Sequence, residues 1–500
     1  MNVAKLLSEL AAKKAGETAI LFNESQYSYA KLNAIANSLA DYLAKSGINK
    51  GDSIAVILPN CPEFAFVYFA VSKLGAVFCP IDTRLGEAEI NQILSRTRTK
   101  ICFIVPDFSF KESLTRSVRL MDIVSPEFSS LLDNPIDSEN ISTEIGENDT
   151  ALYLHTSGTT GVPKIVELSH ANLDCFPEAM KKCIVKGEKE VLGIILPMSH
   201  ISGPIILNLL LAEKCKLVII DSINPQSLFE NIARHKISYF HAVPPIFSLM
   251  LKSGLAERYD TSSLDIIAMM GTSVPVSLMN AFKKVFPHVV VLQGYGLTET
   301  SPLVTLTKRE DADLKRASIG TLVEGAEALV IDEEGEALGR GEIGELIVKG
   351  PMLMKGYLDM PEQSSERIRD GYFYTNDLVK ADEDAYYYHM GRRDDLVVLA
   401  SGLNVYPAEI QSIIFTHPAV LDATVIGVHS AKQQGNILHA FVVPAPNAPL
   451  NEVDIRDLCM NQLGNIKTPR RITLIESLPK TSTGKTDIKE LKKIAGDHED

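Results

Sequence analysis

The chain has 500 residues, 45% of them hydrophobic, and its 49 basic and 63 acidic side chains leave a net charge of −14. Single cores stop growing well below this length, so more than one domain is expected. The acidic balance offers no diffuse attraction to nucleic acid or to an anionic membrane surface and argues against both as partners, while a local cluster could still hold a small anion.

The N-terminal stretch MNVAKLLSELAAKKAGETAI is amphipathic without an apolar core bounded by a cleavage site, so it reads as a helix of the mature protein, not an export signal. YAKLNAIANSLADYLAKSG from Tyr29 is apolar at helical spacing and DSIAVILP is a short β-branched run; FAFVYFAVSKLG from Phe64 is again helical and AVFCPI a strand. This alternation implies crossover units on a mostly parallel sheet. A further series of strands follows at KICFIV, VLGIILP, KLVII, SYFHAV and DIIAMMG, with the polar DNPIDSENISTEIGEND as the connection between lobes. After about residue 320, EALVIDEEGEALGRGEIGELIVKG has short runs between Gly-rich charged turns, which suits antiparallel strands or a small barrel. The last hundred residues predict strands at VLDATVIGVHS and ILHAFVVPA and helices at AEIQSIIFT and DIRDLCMNQL. A small C-terminal domain is expected to start near Asp394 or Asp395. No apolar run approaches the roughly 18 residues of a spanning helix. The seven cysteines lack CxxC spacing or a histidine framework and read as isolated thiols in a reducing cytoplasm.

HTSGTTGVPK, His155 to Lys164, follows the strand-like ALYLH and is expected to emerge at a sheet edge. Gly158 and Gly161 let the backbone approach an anion, the hydroxyls of Thr156, Ser157, Thr159 and Thr160 add donors, and Lys164 supplies a charge. The pattern is not the GxxxxGK[ST] phosphate loop. On this loop alone, a phosphate cradle and an ordinary flexible turn both remain open.

Further segments follow in order: PMSHISG at 197–203, QGYGLTET at 293–300, GEIGELIVKGPMLMKGY at 341–357, GYFYTND at 371–377, GRRDD at 391–395, SGLNVYPAEI at 401–410 and PKTSTGK at 479–485. Together with TSGTTGVPK they resemble the signature segments of the ATP-dependent adenylate-forming superfamily, and most closely its acyl-CoA synthetase branch. The resemblance spans nearly the whole chain. It implies an α/β fold with a large N-terminal domain, residues 1–393, holding two mostly parallel sheets and a small distorted barrel, and a small mobile α+β C-terminal domain, residues 394–500. It implies a ligase in which a fatty or aryl carboxylate attacks the α-phosphorus of ATP to give an acyl-adenylate and pyrophosphate, after which a thiol displaces AMP. ATP, Mg²⁺ and CoA as co-substrate would be required. An acyl carrier protein is the alternative thiol donor, and a non-catalytic nucleotide-binding scaffold is the alternative outside enzymology. Oligomeric state stays open.

The same resemblance carries roles onto single residues. Thr156, Ser157, Gly158, Thr159, Thr160, Gly161 and Lys164 would cover the β- and γ-phosphates. Glu299 would hold Mg²⁺, a hard cation that prefers oxygen. Thr298 would meet the α-phosphate, Tyr295 the adenine and acyl groups, and Asp377 the ribose hydroxyls. Arg392, with Arg393 as its rival, would add a ribose or phosphate contact, and Gly271 would line the nucleotide site. His200 would position the carboxylate and gate the thiol channel, and Lys485 would clamp carboxylate and α-phosphate during adenylation. From the residues alone, Glu299 reads equally as a solvated carboxylate, Asp377 as a turn residue, Tyr295 as a core ring, His200 as a backbone-satisfied histidine and Lys485 as a mobile terminal lysine.

The acyl pocket is expected among His200 to Gly203, Ala268 to Thr272 and Gly294 to Tyr295, with Met269 and Met270 as liners that could equally be core. Four positions depart from the common pattern: His155 for an aromatic or aliphatic residue, Ile165 and Asn376 for glycines, and Ile488 for an arginine. Asn376 is expected to tolerate the unusual backbone angles that glycine would adopt.

Overall fold

Two helices without a polar face set the architecture. In Pro62–Leu74 every residue except Glu63 is buried, and Ser202–Glu213 is buried from Ser202 to Leu211. Helices apolar all round must be covered on all sides. A single apolar cluster takes in both of them and residues of two large sheets, among them Ile54, Phe78 and Ile101 of one and Ile20, Leu217 and Ile266 of the other. Tyr68 Oη donates to Asn208 Oδ1 at 2.7 Å and ties the two helices together.

The computed structural model describes residues 2–114, 118–133, 135, 143–156, 163–183, 187–271, 274–399, 401, 403–430, 435–445, 448–479 and 486–496. Among them, one seven-stranded sheet runs in the order Gly356–Tyr357, Lys164–Ser169, Thr150–Thr156, Val77–Pro80, Ser53–Ile57, Ile101–Ile104, Arg119–Asp122. Its last five strands are parallel, as the helix–strand alternation predicts. A nine-stranded sheet has a parallel centre, with Val290–Tyr295, Ile266–Met269, Tyr239–Ala242, Val191–Ile194, Lys216–Ile219 and Thr18–Phe22 as successive neighbours. The expected antiparallel segment after residue 320 is a five-stranded sheet in which Tyr372–Ala381 pairs with Gly344–Lys349 on one side and with Ile368–Arg369 and Tyr387–Arg392 on the other.

The C-terminal part has its own core. Val420–Ser430 and Gly435–Pro444 pair antiparallel over their length, Arg471–Leu474 adds a parallel strand, and separate apolar clusters around Val425 and Phe441 close the two faces. The strand Arg471–Leu474 was not among the predicted elements. The helix predicted at DIRDLCMNQL extends over Glu452–Lys467, with Gly464 at φ 76° interrupting it. Residues 134 and 136–142 of the polar connection DNPIDSENISTEIGEND lie outside the described residues. No helix among the described residues is long and apolar enough to cross a membrane.

One expectation is corrected in detail. The strand before TSGTTG is not at a sheet edge: Thr150–Thr156 lies third from the margin, and the chain returns beside it as the antiparallel strand Lys164–Ser169. The two strands that flank the loop in sequence are therefore hydrogen-bonded neighbours.

Candidate active site

The hairpin fixes the two ends of the hydroxyl-rich loop. Thr156 and Lys164 face each other across the last rung of the ladder, both half-buried. Residues 157–162 lie outside the described residues, so the expected contacts of Ser157, Gly158, Thr159, Thr160 and Gly161 are not on view. The returning strand is held firmly. Arg96 donates through Nη1 to the Pro163 carbonyl and through Nη2 to the Leu358 carbonyl, the latter at 2.9 Å, and Leu358 N donates to Ile165 O at 2.8 Å. Ile165 is fully buried among Ala55, Ile57, Cys79 and Ile81. The Lys164 ammonium sits 4.9 Å above the centre of the Tyr357 ring.

Glu299 lies in the single turn Thr298–Thr300 that follows the strand Val290–Tyr295. The chain can turn there because Gly296 has no Cβ, which would otherwise collide with the Pro302 carbonyl. Thr300 Oγ1 accepts from Leu297 N at 2.8 Å and Glu299 O accepts from Met354 N at 2.9 Å, so the turn is pinned from both sides. The half-buried Glu299 side chain accepts from Tyr357 Oη at 2.9 Å on Oε1. Burial first, then the Glu299 carboxylate, push the Tyr357 phenol well above its ordinary pKa, so it remains a donor. Among the described residues no three or more His, Cys, Asp and Glu side chains gather into a metal cage. A lone carboxylate with a second oxygen to offer fits Mg²⁺ of the kind shared with nucleotide phosphates and water, and does not suit a dedicated all-protein site.

Asp377 is 3% exposed on the strand Tyr372–Ala381. Its Oδ2 accepts from Tyr295 Oη at 2.5 Å, while Oδ1 faces His389 Nε2 at 3.5 Å and Arg392 Nη1 at 3.8 Å. Burial alone would raise its pKa; His389, Arg392 and Tyr295 outweigh it and hold the carboxyl below its ordinary value. Asn376 adopts φ 60°, the left-handed conformation expected where a glycine is usual, and its N–H donates to Glu345 Oε1 at 2.9 Å. The two arginines differ in placement: Arg392 pairs in register with Asp377, whereas Arg393 Nη1 faces Glu345 Oε2 at 3.1 Å.

His200 leads into the helix Ser202–Glu213, and Gly203 is required because a Cβ there would overlap the Met198 carbonyl. His200 Nε2 approaches Asp82 Oδ2 at 3.4 Å. Asp82 also takes a two-pronged contact from Arg84, Nε to Oδ1 at 2.9 Å and Nη2 to Oδ2 at 2.6 Å. Burial would raise the Asp82 carboxyl, but Arg84 and His200 bring it well below the carboxylate range. Burial and the nearby His200 push His155, the residue before the loop, down to about 4, so it is neutral at physiological pH. Gly271, exposed at φ 91°, ends the strand Ile266–Met269 beside Val243. Met269 is fully buried in the core, whereas Met270 is half-buried against Gly294. Thr272 and Lys485 lie outside the described residues.

Two groups of contacts lie at the ends of the segment 295–299: Lys164 rests on the Tyr357 ring and Tyr357 Oη donates to Glu299, while Tyr295 donates to Asp377 with Arg392 beside it. His200 and Asp82 form a pair whose charge reaches His155. Sequence reading passed over Asp82, Arg96, Tyr357 and His389. Tyr357 carried the best available signal, as the last residue of a matching segment.

The AMP-binding enzyme family matches residues 7–358, and the AMP-binding enzyme C-terminal domain matches residues 409–485. The chain belongs to the AMP-binding enzyme family. It is 30% identical over 495 residues to 4-coumarate–CoA ligase 1 of Solanum tuberosum, covering 94% of this chain and 89% of that protein. It is 30% identical over 477 residues to the long-chain-fatty-acid–CoA ligase FadD13 of Mycobacterium tuberculosis, covering 91% of each. The crystal structure of ATP-bound MatB from Rhodopseudomonas palustris superposes with a TM-score of 0.89 at 28% identity and spans 100% of both chains. This AMP-binding enzyme is accordingly an acid–thiol ligase of the AMP-forming type.

Proposed function

We propose that the chain is a carboxylate–CoA ligase that activates a fatty or aryl acid as its acyl-adenylate, releasing pyrophosphate and then AMP. The observation that supports this is the pair of contact groups on the short segment 295–299, with Lys164 and Glu299 on Tyr357 at one end and Asp377 and Arg392 beside Tyr295 at the other, which supplies a cation, a metal-competent carboxylate and a buried ionised acceptor. The acid class is supported by the names of relatives: 4-coumarate and feruloyl on the aryl side, long-chain fatty acids on the other. Seven free cysteines, six of them buried, suit a reducing cytoplasm, where CoA is at hand.

The roles follow from chemistry. Asp377, kept ionised, accepts the ribose hydroxyls, with Arg392 beside it and Tyr295 bracing its other oxygen. Thr156, Lys164 and the loop between them neutralise the β- and γ-phosphates, with Thr298 near the α-phosphate and Gly271 along the nucleotide. Glu299 holds Mg²⁺; the ion, when bound, offsets phosphate charge that would otherwise repel the incoming carboxylate. His200, fixed by Asp82, orients that carboxylate without proton transfer. Lys485 bridges carboxylate and α-phosphate in the adenylation step, after which residues 394–500 turn about Asp394 or Asp395 to present the thiol, so the mixed anhydride stays out of water.

The test is carboxylate-dependent exchange of pyrophosphate into ATP over fatty, aryl and amino acids, followed by CoA. Exchange with one acid class and CoA-dependent AMP release support the reading. Exchange with AMP release indifferent to CoA points to a carrier-protein thiol, and silence across the panel with ATP binding intact points to a nucleotide-binding scaffold.

A further inference from the structure

We propose that Tyr357 is a positioning residue that holds Lys164 and Glu299 in place, each through an interaction that phosphate and cation can displace or share. The proposal rests on the nucleotide-site reading above. Tyr357 is 5% exposed and its backbone is fixed on two sides: it stands opposite Val166 in the antiparallel pair of Gly356–Tyr357 with the hairpin strand, and its N–H donates to Ser364 Oγ at 2.8 Å. The side chain therefore has little freedom. Its ring face receives the Lys164 ammonium at 4.9 Å and its hydroxyl donates to Glu299 Oε1 at 2.9 Å.

Both charged groups thus meet the one side chain, and among the described residues no ion pair joins Lys164 to Glu299. A direct pair would neutralise the lysine that should meet phosphate and occupy the carboxylate that should meet the cation. A cation–π contact is a weak partner that a phosphate can outcompete, and one hydrogen bond leaves the carboxylate a second oxygen to offer. A phenol is also the right donor, since its single O–H fixes one oxygen and cannot bridge both. Partners of this kind set the orientation of a metal-binding side chain, and losing one weakens metal affinity by about tenfold or more.

The experiment follows thermal unfolding of the full chain with ATP, titrating Mg²⁺, and needs no knowledge of the acid. Tyr357→Phe removes only the hydroxyl and keeps the ring under Lys164. It is expected to raise the Mg²⁺ concentration for half of the ATP-dependent shift by about tenfold, with unliganded unfolding and the shift at saturating Mg²⁺ close to wild type. In the Glu299→Gln background the same change is expected to leave the Mg²⁺ dependence where Glu299→Gln alone puts it. Tyr357→Leu, which loses the ring too, is expected to weaken ATP binding even without Mg²⁺. An unchanged Mg²⁺ midpoint in Tyr357→Phe overturns the proposal, as does an equal loss of ATP binding at every Mg²⁺ concentration, which a merely structural role would give. A wild-type chain that ATP fails to stabilise at any Mg²⁺ concentration overturns the nucleotide-site reading itself.

Discussion

Asp377→Asn separates a ribose contact from a structural ion cluster. The side chain is 3% exposed, takes the Tyr295 hydroxyl on Oδ2 at 2.5 Å and faces His389 and Arg392 with Oδ1 at 3.5 and 3.8 Å. Asparagine keeps the shape and one carbonyl oxygen for Tyr295 but loses the charge and the second acceptor. The structural cost is modest. The Arg392 side chain is 39% exposed and can turn to solvent, so a destabilisation of about 1–2 kcal/mol is expected. The binding cost is larger. Hydrogen bonds to a charged group are worth about 1.5–3 kcal/mol, so losing one of two ribose contacts weakens ATP by about ten- to a hundredfold. Isothermal titration with ATP and with 2′- and 3′-deoxy-ATP reads this directly. Wild type should lose affinity for the deoxy analogues and Asp377→Asn should discriminate them much less. A variant that binds ATP like wild type, or penalises the deoxy analogues as strongly, refutes the ribose assignment.

Lys485→Ala should suppress acyl-adenylate formation while thioester formation from supplied acyl-adenylate persists; an equal loss in both half-reactions rules out a clamp confined to adenylation. Lys73 gives a stability test away from the site. It is fully buried, its ammonium rests on Ser8 Oγ at 3.0 Å and Asn33 Oδ1 at 2.9 Å, and burial lowers its pKa from 10.5 to about 8. Between those values the unfolded chain binds more protons than the folded one, so this group's contribution to stability rises with pH across that window, by up to about 3 kcal/mol. Lys73→Met should flatten that rise, and urea midpoints that climb equally in both proteins from pH 8 to 10.5 exclude the buried ammonium as its source.

The elements that sequence read well are those whose signal is local. Helical spacing located Tyr29–Lys45 and Pro62–Leu74, and β-branched runs located Ser53–Ile57 and Ile101–Ile104. The site was legible as residue types in order, because each motif segment carries its own chemistry. Its pairings were not, since they join residues far apart in the chain: Arg96 to Leu358, Tyr295 to Asp377, Asp82 to His200. His389 shows a subtler obstacle. Strict alternation would place residues 389 and 392 on opposite faces of a strand. Here Leu378 pairs with Gly391 and Val379 with His389, so a bulge at Met390 returns both His389 and Arg392 to the face of Asp377. The one local mark in YYYHMGRR is Gly391, at φ 130°, since a glycine inside a strand often accompanies a bulge.

The departures from the common pattern bear on the fold more than on the chemistry. Ile165 is fully buried beneath the hairpin and Ile488 packs against the cluster of Ile426, Phe441 and Leu491, so both side chains serve cores. Asn376 meets the backbone requirement of a glycine with φ 60°. It also adds something glycine could not: its Nδ2 donates to Asp394 Oδ2 at 3.2 Å, linking the strand that bears Asp377 to the proposed pivot. An exposed bond of this kind contributes about 1 kcal/mol or less and leaves rotation feasible. Its effect, if the pivot turns, is to bias the resting pose toward the arrangement in which Asp377 and Arg392 are already aligned. A substitution that preserves the turn and adds a contact at the proposed pivot is poor support for a scaffold that has lost its reaction, because the backbone presenting Asp377 keeps the conformation that a glycine would give it.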